Sequence, residues 1–498
     1  MSRPDVLFVK PGSQKGVYGK TSDFGLTAFE PPLWASLLAG FLRVQGYAVE
    51  VCDAEVEGLS HAATADRIRA VDPLLVVIAV SGSNPSASTM NMTGSGQILK
   101  HLREAGSGTG SAQGPVTLLQ GLHPSYLPER TLREEAVDHV CQGEGFLTLP
   151  PLLDALRAGK RGHLKIPGLW TVQGGVVLSN PRPAPWSDLD ALPMPAWDLL
   201  PMKSYRAHNW HCFDDITKRQ PYGIIYTSLG CPFDCSFCCI NSLFGKRGIR
   251  YRSPARVVEE IDFLVSQYGI RNIKIIDEMF VLKESHVLEL CDRIIERGYD
   301  LNMWAYARTN TVKPHLLARM KQAGIHWVAY GFEAGNKRVL QAVNKAADLE
   351  ATSRAIEMTY REGLYIVANF IFGLPGDDWE SMQDSLNMAL EINAEWGNFY
   401  CTMAYPGSRI FDEAVANGTS LPATWQGYSQ YSIEALPLPT EQLTSGEILS
   451  FRDYAFDAYY KNPRYLAKMD RLFGVETVRH IQEMTRFTLN RAHTQLFA

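Results

Sequence analysis

Ser228–Cys239 reads Ser-Leu-Gly-Cys-Pro-Phe-Asp-Cys-Ser-Phe-Cys-Cys and follows an apolar run, Gly223–Thr227, with the composition of a buried strand. Cys231, Cys235 and Cys238 stand in a C-x3-C-x2-C pattern on one short loop. Three thiolates placed in this way can hold three irons of a cubic 4Fe–4S cluster, and the fourth iron is then left without a protein ligand. An open iron of this kind can take the amino and carboxylate groups of S-adenosylmethionine and pass an electron into its sulfonium. A structural zinc ion would need four closed ligands, usually as two short-spaced pairs, and the chain has no second pair. A bacterial ferredoxin would show C-x2-C-x2-C-x3-C-P, which is also absent. Cys239 adjoins Cys238 and reads as a packed neighbour rather than a fourth ligand.

On these residues the chain resembles the radical S-adenosylmethionine superfamily, whose signature has an aromatic residue, here Phe237, before the last cysteine. Downstream of the loop, strands and helices alternate. Ser253-Pro254 is a helix start, serine as cap and proline in the first turn, and Val257, Val258, Ile261, Leu264 and Val265 mark the buried face. Strands are expected at Asn272–Ile276, Met303–Ala307, Trp327–Phe332, Tyr365–Phe372 and Asn398–Met403. With Gly223–Thr227 they make six, which matches the partial (β/α)6 barrel of the superfamily, over residues 222–411. Chemistry in such barrels sits at the carboxyl-terminal rim. Asp277 and Glu278, at the end of the second strand, match the place where the family binds the methionine amino group. Arg308 can clamp the methionine carboxylate in bidentate fashion, and Glu333 can accept hydrogen bonds from the ribose hydroxyls; a structural alternative is that these two pair with each other. Asn369-Phe370-Ile371-Phe372-Gly373 resembles the family's G-x-I-x-G, with asparagine in place of the first glycine. The resemblance thus makes Phe237, Asn369, Ile371 and, from the loop that closes over the adenine edge, Tyr405 further contacts of S-adenosylmethionine. Tyr306, Asn310 and Tyr400 are candidates for the substrate cavity.

Upstream, residues 1–158 alternate in the same way. Strands are expected at Asp5–Val9, Tyr47–Cys52, Leu74–Val80, Val116–Gln120 and His139–Cys141, with a Gly-rich loop from Pro11 to Glu30 and helices from Pro31-Pro32, over Ala62–Val71 and over Met90–Glu104. This spacing means an α/β fold with a doubly wound, Rossmann-like parallel sheet, and ligands on such sheets bind beyond the strands' carboxyl ends. No G-x-G-x-x-G follows the first strand, so a dinucleotide has little support. The layout resembles the cobalamin-binding domain that precedes many radical S-adenosylmethionine modules, in which Gly-x-His-Pro, Pro-Glu (here Pro128-Glu129) and Gly-Glu-Gly recur. That resemblance implies cobalamin contacts from Ser81, Asn84, Ser86 and Ser88 after the third strand, Gly121 and His123 after the fourth, and Gly143 and Glu144 after the fifth. The run D-x-H-x-x-G, with which some carriers ligate cobalt from below, is missing. Cobalamin is therefore expected base-off, with no protein histidine on cobalt.

Between the two lies a Pro-rich connector, 159–221, with a small hairpin (Leu169–Val172, Val176–Ser179) and three tryptophans, Trp186, Trp197 and Trp210, that pin it to its neighbours. The tail, 412–498, is expected to be helical over Glu447–Tyr460, Leu466–Leu472 and Val475–Leu489 and carries no catalytic motif.

The 498 residues allow about three domains. A net charge of −5 argues against nucleic acid as a main partner, and the longest apolar run is far too short to span a bilayer. Nine cysteines, three of them committed to a cluster, fit the reducing cytoplasm better than a disulfide framework. As a whole the chain resembles cobalamin-dependent radical S-adenosylmethionine enzymes, the class B methyltransferases and the anaerobic magnesium-protoporphyrin ester cyclases. The resemblance implies C-methylation of an unactivated carbon from methylcobalamin by way of a 5′-deoxyadenosyl radical. The substrate is then a small molecule or natural product, and the electron donor a flavodoxin or ferredoxin. Alternatives are cyclisation, oxidation or rearrangement without methyl transfer, a radical enzyme that binds no cobalamin, and a non-catalytic cobalamin carrier.

Overall fold

The computed structural model describes residues 3–12, 17, 27–82, 84–105, 114–161, 164–345 and 348–493. Most of the expected loop between Pro11 and Glu30 lies outside the described residues. Two sheets organise the chain.

The first contains β1 (Val6–Lys10), β2 (Val49–Asp53), β3 (Leu75–Ala79), β4 (Val116–Gln120), β5 (His139–Cys141), β6 (Leu169–Gln173) and β7 (Val176–Ser179), in the order β2-β1-β3-β4-β5-β6-β7. The first five pair in parallel. Strands β1, β3 and β4 are buried along their whole length, as a parallel sheet covered on both faces requires. Alternate residues serve the two faces. Val6 and Phe8 pack with the helices Leu33–Arg43 and Leu149–Arg157, while Leu7 and Val9 share a second core with Ile68, Ile98 and Leu99. Helix His61–Val71 is capped by Ser60, whose Oγ accepts from Ala63 N at 3.1 Å.

The hairpin expected within the connector, 159–221, is present as β6–β7, and it joins the first sheet: β6 pairs antiparallel with β5 and carries that sheet onward to Ser179. β5 offers only three residues to the ladder, so an unpaired edge there would leave its backbone groups without partners. The remainder is a series of short turns. Trp197 Nε1 donates to Glu260 Oε1 at 3.0 Å, Trp186 N donates to Glu144 Oε2 at 2.7 Å, and Trp210 packs on Trp304 and Trp327.

The second sheet comprises β8 (Tyr222–Ile225), β11 (Asn272–Ile275), β12 (Asn302–Ala307), β13 (Ile325–Glu333), β14 (Tyr365–Phe372) and β15 (Trp396–Cys401). All pair in parallel, and β8 and β15 are the edges. A two-stranded ribbon, β9 (Ser228–Leu229) with β10 (Arg250–Tyr251), precedes β11 and frames the cysteine loop. Helix Pro254–Tyr268 begins as expected, with Ser253 as cap. Strand β15 starts two residues earlier than the sequence indicates and ends at Cys401.

The tail forms helices Ser445–Tyr460, Pro463–Phe473 and Val475–Met484, the last ending five residues short of the expected Leu489. Its packing shows what it does. The outward backbone groups of edge strand β15 are taken one after another by side chains of this region. Tyr460 Oη accepts from Gly397 N at 3.1 Å and donates to Gly397 O at 2.7 Å, Arg452 Nε donates to Phe399 O at 2.9 Å, and Gln430 Oε1 accepts from Cys401 N at 2.9 Å. Side chains thus stand where a seventh strand would pair, which blunts the open edge. No helix among the described residues is long and apolar enough to cross a membrane.

Candidate active site

The carboxyl ends of both sheets face one cavity of about 710 Å³. Cys231, Cys235 and Cys238 line it, all as free thiols. Their loop is fixed by its backbone. Gly230 has φ +93°, and a Cβ there would lie 2.5 Å from Gly248 O, so only glycine permits the approach that lets Gly248 N donate to Cys231 O at 3.2 Å. Ser236 N donates to Val343 O at 3.0 Å, tying the loop's far end to the turn after helix Lys337–Ala342. Among the described residues no group of three or more His, Cys, Asp or Glu side chains is gathered closely enough for one metal ion. Burial pushes the Cys231 thiol up to about 11 and that of Cys238 well above the ordinary thiol range. The Arg308 guanidinium, 3.9 Å from Cys235 Sγ and 4.1 Å above the Phe233 ring, is a cation placed to offset thiolate charge.

Strand ends supply the polar wall. Arg308 closes β12 and donates from Nε to Asn310 Oδ1 at 3.4 Å. Glu333 closes β13 in the left-handed region, φ +64°. Its partner is Lys345, whose Nζ also donates to Gly331 O at 2.6 Å; Arg308 and Glu333 do not pair with each other. Glu278 lines the cavity, its carboxyl pushed up to about 8 by burial, with Lys274 opposing the shift. Asn369 Nδ2 donates to Tyr330 O at 2.9 Å, and its Oδ1 accepts from Asn398 at 2.9 Å. Phe237, Ile371, Tyr306, Tyr400 and Tyr405 also line the cavity, whereas Asn310 does not and meets it only through Arg308.

From the first sheet come Ser81, Gly82, Asn84, Pro85, Ser86 and Ala87. Tyr306 Oη donates to Asn84 Oδ1 at 3.0 Å, a direct bond between the two halves. Ser81 Oγ is buried with no hydrogen-bond partner, which in a native site calls for a ligand or water. Small side chains around an unmatched hydroxyl suit a large ligand approaching the backbone, so this loop fits a corrinoid.

Two family models match the chain: the B12 binding domain over residues 26–153 and the radical SAM superfamily over residues 225–389. An uncharacterized methyltransferase of Pyrococcus horikoshii is 30% identical over 466 residues, which are 93% of this chain and 94% of that protein. The chain belongs to the cobalamin-dependent radical S-adenosylmethionine methyltransferase family. The anaerobic magnesium-protoporphyrin IX monomethyl ester cyclase of Rubrivivax gelatinosus is 27% identical, covering 82% of this chain and 69% of its own. Among solved structures, the radical S-adenosylmethionine methyltransferase TsrM of Kitasatospora setae, with cobalamin and a [4Fe-4S] cluster bound, shares the fold. It has a TM-score of 0.67 at 18% identity and covers 93% of this chain and 90% of TsrM. The family's cofactors are accordingly the 4Fe–4S cluster, S-adenosylmethionine and cobalamin.

Against this family background, several expected contacts lie elsewhere. Asp277 is buried behind the wall: its two oxygens accept from Thr227 N, Thr227 Oγ1 and Ser228 Oγ, each at 2.6 Å, and tie the end of β11 to the start of β9 and the link before it. Successive residues at a strand end face opposite ways, so Glu278 meets the cavity and Asp277 does not. Five of the eight expected cobalamin contacts, Ser88, Gly121, His123, Gly143 and Glu144, are also absent from the cavity lining. Ser88 Oγ accepts from His123 N at 3.0 Å. His123 packs edge-on to Trp425 at 4.3 Å with Nδ1 3.2 Å from Thr89 Oγ1, and burial pushes it down to about 3. Gly121, φ +150°, leaves room for Val80, whose Cγ2 would lie 2.6 Å from a Cβ. Gly143 N donates to Ser125 Oγ at 3.0 Å, and Glu144 holds Arg250 at 2.7 Å. These residues shape the loops behind the site.

Sequence reasoning missed Lys345 and the pair Lys274–Glu30, 3.1 Å apart. A lysine in the middle of the buried strand Asn-Ile-Lys-Ile was a readable signal for Lys274. Lys345, in a turn after a short helix, carried none.

Proposed function

We propose that this chain transfers a methyl group to an unactivated carbon of a small molecule or natural product. The observation that carries the reading is the single cavity. The cysteine triplet, the rim residues Glu278 and Arg308, and the small-residue loop with the unmatched Ser81 hydroxyl all open onto it. When bound, the cluster and S-adenosylmethionine supply a carbon-centred radical that removes a substrate hydrogen, and the corrinoid supplies the methyl group.

The chain's own residues hold and orient. Arg308 binds the methionine carboxylate through its guanidinium and Glu278 the amino group, from the ends of neighbouring strands. Glu333, held by Lys345, presents its remaining oxygen to the ribose. Asn369 and Ile371 lie under the adenine, and Phe237 and Tyr405 exclude water beside the cysteine loop. Ser81, Asn84 and Ser86 hydrogen-bond the corrinoid's side amides. His123 packs edge-on to Trp425 and does not line the cavity, which supports a corrinoid that would bind base-off, without an imidazole from that loop. A flavodoxin or ferredoxin in the cytoplasm serves as reductant. The corrinoid unit extends through Ser179, since β6 and β7 complete its sheet, and the barrel unit follows the connector.

Anaerobic reconstitution with iron, sulfide and hydroxocobalamin tests this. About four irons and one retained corrinoid per chain are expected, and isotope-labelled methyl from S-adenosylmethionine should appear in product. Full loading with an unlabelled, cyclised or oxidised product would overturn methyl transfer and leave the cofactor sites standing.

A further inference from the structure

The cysteine loop belongs to the barrel by sequence, yet the first half of the chain braces it at both ends. Upstream of Cys231, Leu229 of β9 pairs with Arg250 of β10, and Gly248 N donates to Cys231 O at 3.2 Å. Arg250 is held in turn by Glu144, from the Gly-Glu-Gly loop after β5. Its Nη2 donates to Glu144 Oε1 at 2.7 Å and its Nη1 to Glu144 Oε2 at 3.2 Å, a bidentate pair. The Glu144 side chain is only 5% exposed, so this is not a solvent-screened surface bridge. Glu144 Oε2 also accepts from Trp186 N at 2.7 Å. Gly143, φ +115°, and Gly145, φ +99°, stand on either side of it and fix a turn that a side chain would strain.

Downstream of Cys239 comes the short helix Asn241–Phe244. The Ser242 hydroxyl is shared between Cys239 O at 2.7 Å and Leu122 O at 3.4 Å, the latter in helix Leu122–Tyr126 of the first half. Arg182, just beyond β7, donates from Nη2 to Ser242 O and Leu243 O at 2.5 and 2.6 Å. Both braces lead on to the loop that faces the corrinoid space. On the Glu144 side, Gln120 Nε2 donates to Gly143 O at 3.3 Å. The next residue, Gly121, packs so closely on Ser81 that a Cβ would lie 3.1 Å from its N and Oγ. On the Ser242 side, His123 N donates to Ser88 Oγ at 3.0 Å. Filling the cysteine loop therefore restricts the β9–β10 ribbon and helix Asn241–Phe244, and filling the corrinoid space restricts the loops that hold them. The entropy of ordering these shared segments is lost once, with whichever group arrives first, and the second then meets a surface already set.

We propose that Glu144 and Arg250 are positioning residues that couple the two cofactor sites, so that cluster assembly tightens corrinoid binding. By linkage, bound corrinoid favours the cluster to the same degree. The proposal rests on the reading of the cavity as the seat of both cofactors, and its test needs no substrate. Anaerobic equilibrium dialysis against hydroxocobalamin compares the full chain without iron and the same chain reconstituted with iron and sulfide. The reconstituted chain should bind the corrinoid more tightly by about fivefold or more. In Glu144→Gln, which keeps an acceptor for Trp186 N, the ratio should fall below about twofold while iron stays at about four per chain. Ser242→Ala loosens the downstream brace and should lower the ratio too, which keeps the test valid if the first variant fails to fold. Equal affinities in the wild-type chain, or a wild-type ratio in both variants, would overturn the proposal. A chain that retains no corrinoid in either state overturns the functional reading itself.

Discussion

Substitution should separate Asp277, which braces backbone and hydroxyl groups of Thr227 and Ser228, from the cysteines that hold the cluster. Removing any one of Cys231, Cys235 or Cys238 should leave well under four irons per chain after reconstitution and abolish 5′-deoxyadenosine formation. Cys239→Ala should assemble the cluster normally, and iron analysis with the visible spectrum decides. Asp277→Ala strands three donors on Thr227 and Ser228 and should cost about 3 kcal/mol of stability in urea unfolding. If Asp277 instead contacted S-adenosylmethionine, the variant would bind it weakly at unchanged stability. His123 gives the molecule an acid limit. Burial first, and Arg130 second, hold it neutral in the fold, whereas in the unfolded chain it titrates near 6.5. The unfolded chain therefore takes up the proton as pH falls below about 6.5, and stability is lost over that window. Between pH 6.5 and 5 the loss attributable to His123 should be about 2 kcal/mol. His123→Gln should show a shallower fall in urea midpoint across the same range. At this scale the cysteine triplet was plain, because ligand spacing along a loop is written in the chain. Asp277 was not, because adjacent carboxylates at a strand end look alike until the strand's facing is known.

The edge of β15 tests the idea that side chains replace a missing strand. Tyr460→Phe removes both bonds to Gly397 and should lower stability by about 2 kcal/mol. It should also raise the tendency to self-associate through the exposed edge, visible in light scattering. The barrel strands could be read directly from sequence because they are largely apolar and mostly buried, and they recur between helical segments at regular spacing. The pairing of β6 with β5 could not, since a hairpin's own alternation says nothing about which distant edge it joins. The capping of β15 was equally hidden: tyrosine, arginine and glutamine on an amphipathic segment look like ordinary surface until their backbone partners are known.

For the whole molecule, β5–β6 pairing sets where the first half can be cut. A fragment ending at Ala158 leaves β5 as a bare edge and should aggregate, whereas one ending at Pro185 keeps β6 and β7 and should run as a monomer in size-exclusion chromatography. The two-sheet architecture was legible from strand–helix alternation. What alternation does not encode is how the loops of one sheet meet those of the other, and so which of the expected cobalamin contacts line the shared cavity.

Trp210 stacks among Trp304, Trp327 and Trp396 with ring centres 5.1, 5.3 and 6.5 Å away. Trp210, Trp304 and Trp396 also form part of the cavity lining. Indole rings this close exchange excitation energy, and a corrinoid absorbs in the near-ultraviolet where they emit. The chain therefore carries an intrinsic optical reporter. Its emission should dim as the corrinoid enters, so loading can be followed by fluorescence in real time, without a tag.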